Sequence, residues 1–350
     1  MRTEHVQLAE NYNFKDRLHE LEAEFGADIL MRSAVWLTVK ESRASFAIEH
    51  EEKNVDRVKR FAAVMERRCG QYESPLQDET LAELQSEILG TRATRYGLRK
   101  SPVFIGEISS WAPIVHYIAP DWCDVPSMLS GLQNFEARTR GRSALLRAAM
   151  ISFGFVYIHP MSDGNGRISR FLVNDVLRRD GAVPAPFILP ISAAIANTPI
   201  KRRGYDQVLE ILSKPLMHRY QADYQFGSEQ VAEDGIHYNL IFNAYEDANL
   251  TWRYLDLTDH VEYLANIIDL TIEHEMRQEA AYLHSLRQAR ESIKELLDGP
   301  DADIDRIIRS IRENNGQISN KLKQEFPQLN ESELSSNIVL AINAAFKSNE

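Results

Sequence analysis

The sequence predicts a mainly α-helical protein with one small β-hairpin, and three features carry that reading. From Ala144 to Ile158 most residues are apolar, among them Leu145, Leu146, Met150, Ile151, Phe153, Phe155, Val156 and Tyr157. A helix apolar nearly all round is a buried one. From about residue 260 to 297, apolar residues recur at Val261, Leu264, Ile268, Ile272, Met276, Leu283, Leu286, Ile293 and Leu296. That spacing is one long amphipathic helix or two joined ones, packed on the core or on a second subunit. By contrast, 101–106 and 114–120 are two short apolar, partly β-branched runs about a turn-rich segment, which read as a hairpin.

The other elements follow in order. Residues 1–90 read as helical. After the hairpin, Met128, Leu129, Leu132 and Phe135 make an amphipathic helix of 126–141. The buried helix 144–158 stops at His159-Pro160, because the residue before a proline is pushed away from helical angles. Residues 167–179 read as a second helix, with Phe171, Leu172, Val173, Val176 and Leu177 apolar. Residues 216–297 read as irregular and then helical, and Asp298-Gly299-Pro300 marks a boundary. Beyond it, 304–313, 318–326 and 332–346 read as three short helices. The expected divisions are 1–90, 91–215, 216–298 and 299–350.

The chemistry concentrates in residues 159–170, His-Pro-Met-Ser-Asp-Gly-Asn-Gly-Arg-Ile-Ser-Arg. His159 leaves a rigid buried helix, a platform for a general base near neutrality. Gly164-Asn165-Gly166 feeds a helix N-terminus, where exposed N–H groups and the dipole favour an anion. Arg167 and Arg170, three residues apart, share one helix face and suit phosphate oxygens. Asp163 supplies a hard oxygen ligand, and Mg2+ typically takes one or two carboxylates plus substrate phosphates. A calcium loop starting at Asp163 would need Asp or Asn at its fifth position, Gly at its sixth and Glu at its twelfth. Arg167, Ile168 and Asn174 stand there instead. The cluster reads as a site for a nucleoside triphosphate.

This segment resembles the signature of the Fic (Fic/DOC) family, His-x-Phe-x-Asp/Glu-Gly-Asn-Gly-Arg-x-x-Arg, with Met161 where the family usually has Phe. The resemblance implies a Fic-fold helical core and a protein adenylyltransferase, moving AMP from ATP to a Tyr, Ser or Thr hydroxyl. It implies that His159 deprotonates the hydroxyl and that Asp163 holds Mg2+. It gives the phosphates to Gly164, Asn165, Gly166 and Arg167, and the γ-phosphate to Arg170. Upstream, Ser45-Phe46-Ala47-Ile48-Glu49-His50 resembles the family's inhibitory helix motif, Ser/Thr-x-x-x-Glu-Gly/Asn. By that resemblance Glu49 pairs with Arg170 and displaces the γ-phosphate. His50 departs from the usual Gly or Asn. Read alone, Ser45 and Glu49 are ordinary helix residues. The hairpin, with Val103, Phe104 and Ile105, resembles the flap that binds the target as an added strand; otherwise it is a minor structural hairpin. Tyr205 lies in a stretch that resembles the adenosine-side helix, and it reads equally as an adenine-pocket residue or as core packing. The three terminal helices resemble a winged-helix or helix-turn-helix module. The last one has no Arg or Lys before Lys347, so packing or protein interaction fits better than DNA binding.

Composition narrows the classes. The 350 residues suffice for two or three domains. With 40 basic and 51 acidic residues the formal charge is −11, which argues against a general nucleic-acid or membrane-surface binder. Two cysteines, Cys69 and Cys123, fit no disulfide framework or zinc pattern and suit a reducing compartment. The polar N-terminus has no signal-peptide core, and the longest apolar run is too short to span a bilayer, so a cytoplasmic protein is expected. Two other functions stay open. The same fold transfers UMP, phosphocholine or phosphate, or removes AMP, in related domains. A transcription regulator with a nucleotide-sensing site is the third reading.

Overall fold

The computed structural model describes residues 2–51, 53–90, 95–108 and 113–347. The protein is mainly helical, as expected. It begins with α1 (Glu4–Glu10), α2 (Phe14–Phe25), α3 (Ala27–Ile48), α4 (Val55–Arg68) and α5 (Asp78–Leu89). The hairpin strands β1 (Phe104–Ile108) and β2 (Pro113–Ile118) follow, then α6 (Val125–Arg138), α7 (Ala144–Ile158) and α8 (Asn165–Arg179). Next come α9 (Ile191–Ala196), α10 (Pro199–Arg219), β3 (Tyr224–Val231) and β4 (His237–Phe242). The chain closes with α11 (Tyr245–Arg253), α12 (Thr258–Leu270), α13 (Arg277–Lys294), α14 (Asp301–Glu313), α15 (Asn320–Glu325) and α16 (Ser332–Lys347). Two compact units emerge: 1–18 with 37–275, and 19–36 with 276–350.

The first unit is built on α7. Ser143 caps its start, and Ala148, Ala149, Ile151 and Phe155 are wholly buried. Helix α8 packs along it through Ile168, Phe171, Leu172 and Val176. Burying an aliphatic or aromatic side chain contributes roughly 1.5–3 kcal/mol each, so this pair of helices is a firm base for the loop between them. The strands β1 and β2 pair antiparallel, Phe104 opposite Ile118 and Ile105 opposite Tyr117. The register shifts after Ile105, where Gly106 sits opposite Val115. The turn between the strands falls partly outside the described residues.

One element differs from the sequence reading, and another resolves an alternative that it left open. The stretch read as irregular contains a second hairpin, β3 with β4. Its register shifts between Phe226 and Gln230 and most of β3 is exposed, so no clean two-residue alternation marks it. The long amphipathic stretch is two α-helices joined by a π-helical turn at Thr271–Met276. One extra residue per turn is absorbed there, which shifts the phase of the apolar face between α12 and α13.

In the second unit, Ile293 of α13 packs with Ile304, Ile307, Ile308 and Ile311 of α14, Leu322 of α15, and Ile338 and Ile342 of α16. The terminal helices begin and end within a few residues of their expected positions. Among the described residues no helix is long and apolar enough to cross a membrane.

Candidate active site

His159 is the C-cap of α7, with left-handed angles of φ 50° and ψ 56°. A residue with a Cβ adopts them at a cost. Its ring Nδ1 lies 3.2 Å from the Val156 carbonyl oxygen. A carbonyl only accepts, so Nδ1 carries the proton and Nε2 keeps the lone pair. Burial pushes the imidazole pKa down to about 4, and the Arg99 charge adds to it; the Val156 carbonyl and Glu49 oppose. The ring is therefore neutral at neutral pH, the form a base requires.

The loop after it is locked. Met161 is wholly buried and bridges Leu98. It occupies the apolar anchor position. The Asn165 amide closes the loop, accepting from Met161 N–H at 3.0 Å and donating to Met161 O at 2.8 Å. Sequence reading gave Asn165 to the phosphates; its side chain is turned inward and buried, and only its backbone N–H remains at the helix end. Gln85 donates to the Asp163 carbonyl at 2.8 Å and accepts from Gly97 N–H at 2.8 Å. Gly164 caps α8 at φ 90°, a left-handed angle that glycine adopts freely. The first intrahelical bond is Ile168 N–H to Gly164 O, at 2.9 Å. The N–H groups of Asn165, Gly166 and Arg167 precede it and face out of the positive helix end.

Both motif arginines are buried, and both are paired with carboxylates from one upstream turn. Arg170 donates through Nη2 to Glu49 Oε1 at 2.7 Å and to Ser45 O at 3.1 Å, and through Nε to Ser45 Oγ at 2.8 Å. Arg167 donates to Glu51 at 2.6 Å and to Asp163 at 2.8 Å, and lies 4.9 Å over the Phe46 ring. Arg170 Nη1 and Arg167 Nε are buried with no partner among the described residues. Burial alone would raise the Glu49 carboxyl; Arg170, then Arg167 and Arg202, outweigh it and hold it below the usual carboxylate range. A Cβ on Gly166 would fall on the Glu49 carboxylate and 3.2 Å from Arg170 Nη1, so the missing side chain makes the cradle.

The turn that delivers these carboxylates closes α3. His50 has φ 58°, the left-handed position that Gly or Asn favours at a helix end. Glu51 N–H reaches back to Phe46 O at 2.8 Å. The departure at His50 thus leaves the helix-end geometry in place.

A cavity of about 850 Å3 adjoins the site, lined by Ile105 and His116 of the hairpin, Val156 and Tyr157 of α7, and Arg202 and Asp206 of α10. Of the hairpin residues singled out from sequence, Ile105 is exposed and faces this cavity. Phe104 packs edge-on against Phe226 of β3, ring centroids 5.3 Å apart. Val103 lies just before β1, and its carbonyl accepts from Ala119 N–H at 3.0 Å. Tyr205 is buried, 6.3 Å from the Tyr263 ring and beside Arg170. It holds a packing position next to the cavity, while Asp206 and Leu209 line it.

Asp163 is a half-exposed carboxylate on Arg167. Among the described residues no group of three or more His, Cys, Asp or Glu could hold a metal. The donor set fits Mg2+ only as one protein carboxylate completed by substrate phosphates and water.

Residues 75–177 match the model of the Fic/DOC family. Over that segment the chain is similar to the Fic/DOC family. Within the segment fall the hairpin, α7, the loop and most of α8. Over 94 residues the chain is 31% identical to "Protein adenylyltransferase fic-1" of Caenorhabditis briggsae, covering 27% of this chain and 17% of that protein. It is 46% identical over 65 residues to "Protein adenylyltransferase Fic" of Aedes aegypti, covering 17% and 13%. The chain thus spans under a fifth of these relatives' length. A Fic family protein from Desulfovibrio desulfuricans G20 superposes with TM-score 0.47 at 16% identity, covering 99% of this chain and 87% of that one. A Fic domain containing signaling protein from Bacteroides thetaiotaomicron VPI-5482 gives 0.49 at 16%, covering 78% and 97%.

The site also brings in residues that the sequence reading does not single out. Glu51 was legible only as a second acid two places after Glu49. Gln85 and Arg99 carry no periodicity or motif signal, because their roles rest on backbone carbonyls distant in sequence.

Proposed function

We propose that this protein is an adenylyltransferase held in check by its own α3. It transfers AMP from ATP to a Tyr, Ser or Thr hydroxyl of a target protein. The observation that carries the proposal is the His159 ring, whose Nδ1 is committed to Val156 and whose Nε2 is free to take a proton beside an arginine-flanked helix N-terminus. His159 Nε2 accepts the hydroxyl proton, the hydroxyl oxygen forms a bond to the α-phosphorus, and the bond to the β-phosphate oxygen breaks, releasing pyrophosphate. The α8 N–H groups and Arg167 hold the phosphates, and Arg170 takes the γ-phosphate. Asp163 would hold Mg2+ with the phosphates, and that ion would neutralise charge on the departing pyrophosphate. The hairpin, with Ile105 exposed beside the cavity, binds the target as an added strand.

Inhibition follows from the same geometry. A carboxylate on Arg170 Nη2 takes the donor and the space that a phosphate oxygen would use and repels it as a like charge, and charge-assisted bonds of this kind are strong. Glu49 on Arg170 therefore keeps the γ-phosphate out. The test is transfer of labelled AMP from ATP to a lysate by Glu49→Gly beside the unaltered protein. Label on protein, stronger in the variant, is expected. No labelling by either removes the transferase reading. Equal labelling removes the inhibition and leaves the transferase. Loss of AMP from a pre-modified target, dependent on Glu49, favours the reverse reaction at the same site.

A further inference from the structure

Arg99 lies just before the hairpin and belongs to no motif, yet it is 2% exposed. Among the described residues its side-chain hydrogen bonds go to backbone carbonyls: Nε to His159 O at 2.8 Å, Nη1 to Ser101 O at 2.9 Å, Nη2 to Pro120 O at 2.6 Å and, more weakly, to Ile158 O at 3.5 Å. Its own backbone N–H donates to Pro160 O at 2.9 Å. Buried charges are normally paired with an opposite charge, and no carboxylate pairs with this one among the described residues. Burial pushes the guanidinium down to about 10; Tyr245, Tyr117, Asp121 and Asp234 oppose without direct contact.

The four carbonyls belong to three places that the reaction needs together. Ser101 opens the hairpin and Pro120 closes it. Ile158 and His159 end the helix that carries the base. We propose that Arg99 is a positioning residue: its fork ties the His159 backbone to both ends of the target-binding hairpin and sets a positive charge beside the imidazole. The proposal rests on the reading of His159 as the base. A left-handed His159 is strained, and strain of this kind persists only where surrounding bonds hold it. The bond from Arg99 Nε to the His159 carbonyl is such a hold. A planar guanidinium spreads its donors over three nitrogens in a fixed fork, and each of the three is used here; a lysine ammonium carries the charge on one atom without the fork. The charged groups acting on the ring are Arg99 and Glu49, in opposite senses, with the Val156 carbonyl on Nδ1.

Two substitutions separate fork from charge. In the Glu49→Gly background, Arg99→Lys should keep ATP affinity within about twofold while kcat falls roughly 10²-fold, the cost of a misplaced reacting group. Unchanged kcat in Arg99→Lys overturns the positioning role. Arg99→Met removes the charge. NMR titration of the His159 ring, assigned by its loss in His159→Ala, should then move up by about one pH unit and stay in place in Arg99→Lys. An unmoved ring in Arg99→Met overturns the electrostatic half. Should Arg99→Met not fold, the kcat split in Arg99→Lys decides. Should the Glu49→Gly protein transfer nothing, the transferase reading fails while the ring titration still judges Arg99.

Discussion

The carboxylate of Glu51 lies 2.6 Å from the guanidinium of Arg167, across 116 residues of sequence. Arg57 holds the same carboxylate oxygen at 3.1 Å. Each motif arginine thus has its own acid, and on the proposed mechanism Glu49 is not the sole block on the phosphate site. Adding Glu51→Gln to Glu49→Gly should tighten binding of a non-hydrolysable ATP analogue by a further two- to fivefold, roughly the worth of a partly exposed pair. Calorimetry reads it, and identical affinities would remove Glu51 from the inhibitory set.

Replacing His159 by Ala in the Glu49→Gly protein should lower transfer by ~10²–10⁴-fold, the usual contribution of a general base. ATP affinity should stay nearly constant, because on the proposed mechanism the phosphates rest on α8. Retention of more than a tenth of the rate, roughly the least a base supplies, would mean another group takes the proton.

Asp163→Asn should abolish the Mg2+ dependence of nucleotide binding while preserving the loop, since the Asp163 carbonyl keeps its bond from Gln85. Titrating Mg2+ against ATP-analogue affinity is the measurement. A full metal response in the variant places the ion elsewhere.

Stability should depend on acid through two histidines. Burial pushes both His159 and His260 down to about 4, from an ordinary value near 6.5. His260 shares a 2.6 Å hydrogen bond with Tyr157 Oη. Between pH 6.5 and 4 the unfolded chain takes up protons that the folded one refuses. Stability is thus complete above that window and falls as pH drops through it, by ~2–3 kcal/mol per group at the acid end. His260→Gln should flatten the decline in Tm between pH 6.5 and 4. An unchanged slope would show that His260 titrates normally in the folded protein.

Gly106→Val should cut target labelling severely while ATP binding survives. A Cβ there would run into the Ile114 carbonyl oxygen of the paired strand, at the point where the register shifts. Equal labelling by the variant would separate the hairpin from target binding.

The helices around the site were legible because their apolar spacing is strong: 144–158 was read with the bounds that α7 has. Residues 159–170 were legible because glycine, arginine, aspartate and histidine each have few reasons to stand together. The second hairpin escaped because its exposed strand leaves little alternation to read. The inward turn of the Asn165 side chain escaped for another reason. An amide that closes a loop on Met161 has the same one-letter code as an amide that meets a ligand. Arg99 was invisible because carbonyls, which every residue has, are its partners.

Glu49 rests where the first side-chain carbon of residue 166 would stand, and on the proposed mechanism the phosphate needs that same space. Any substitution of Gly166 excludes regulator and substrate together. Release from inhibition is therefore genetically one-sided. A selection for hyperactive alleles should return changes in residues 45–51 and none at Gly166, however large the library. The lesion spectrum of such a screen would map the regulator without any knowledge of the target.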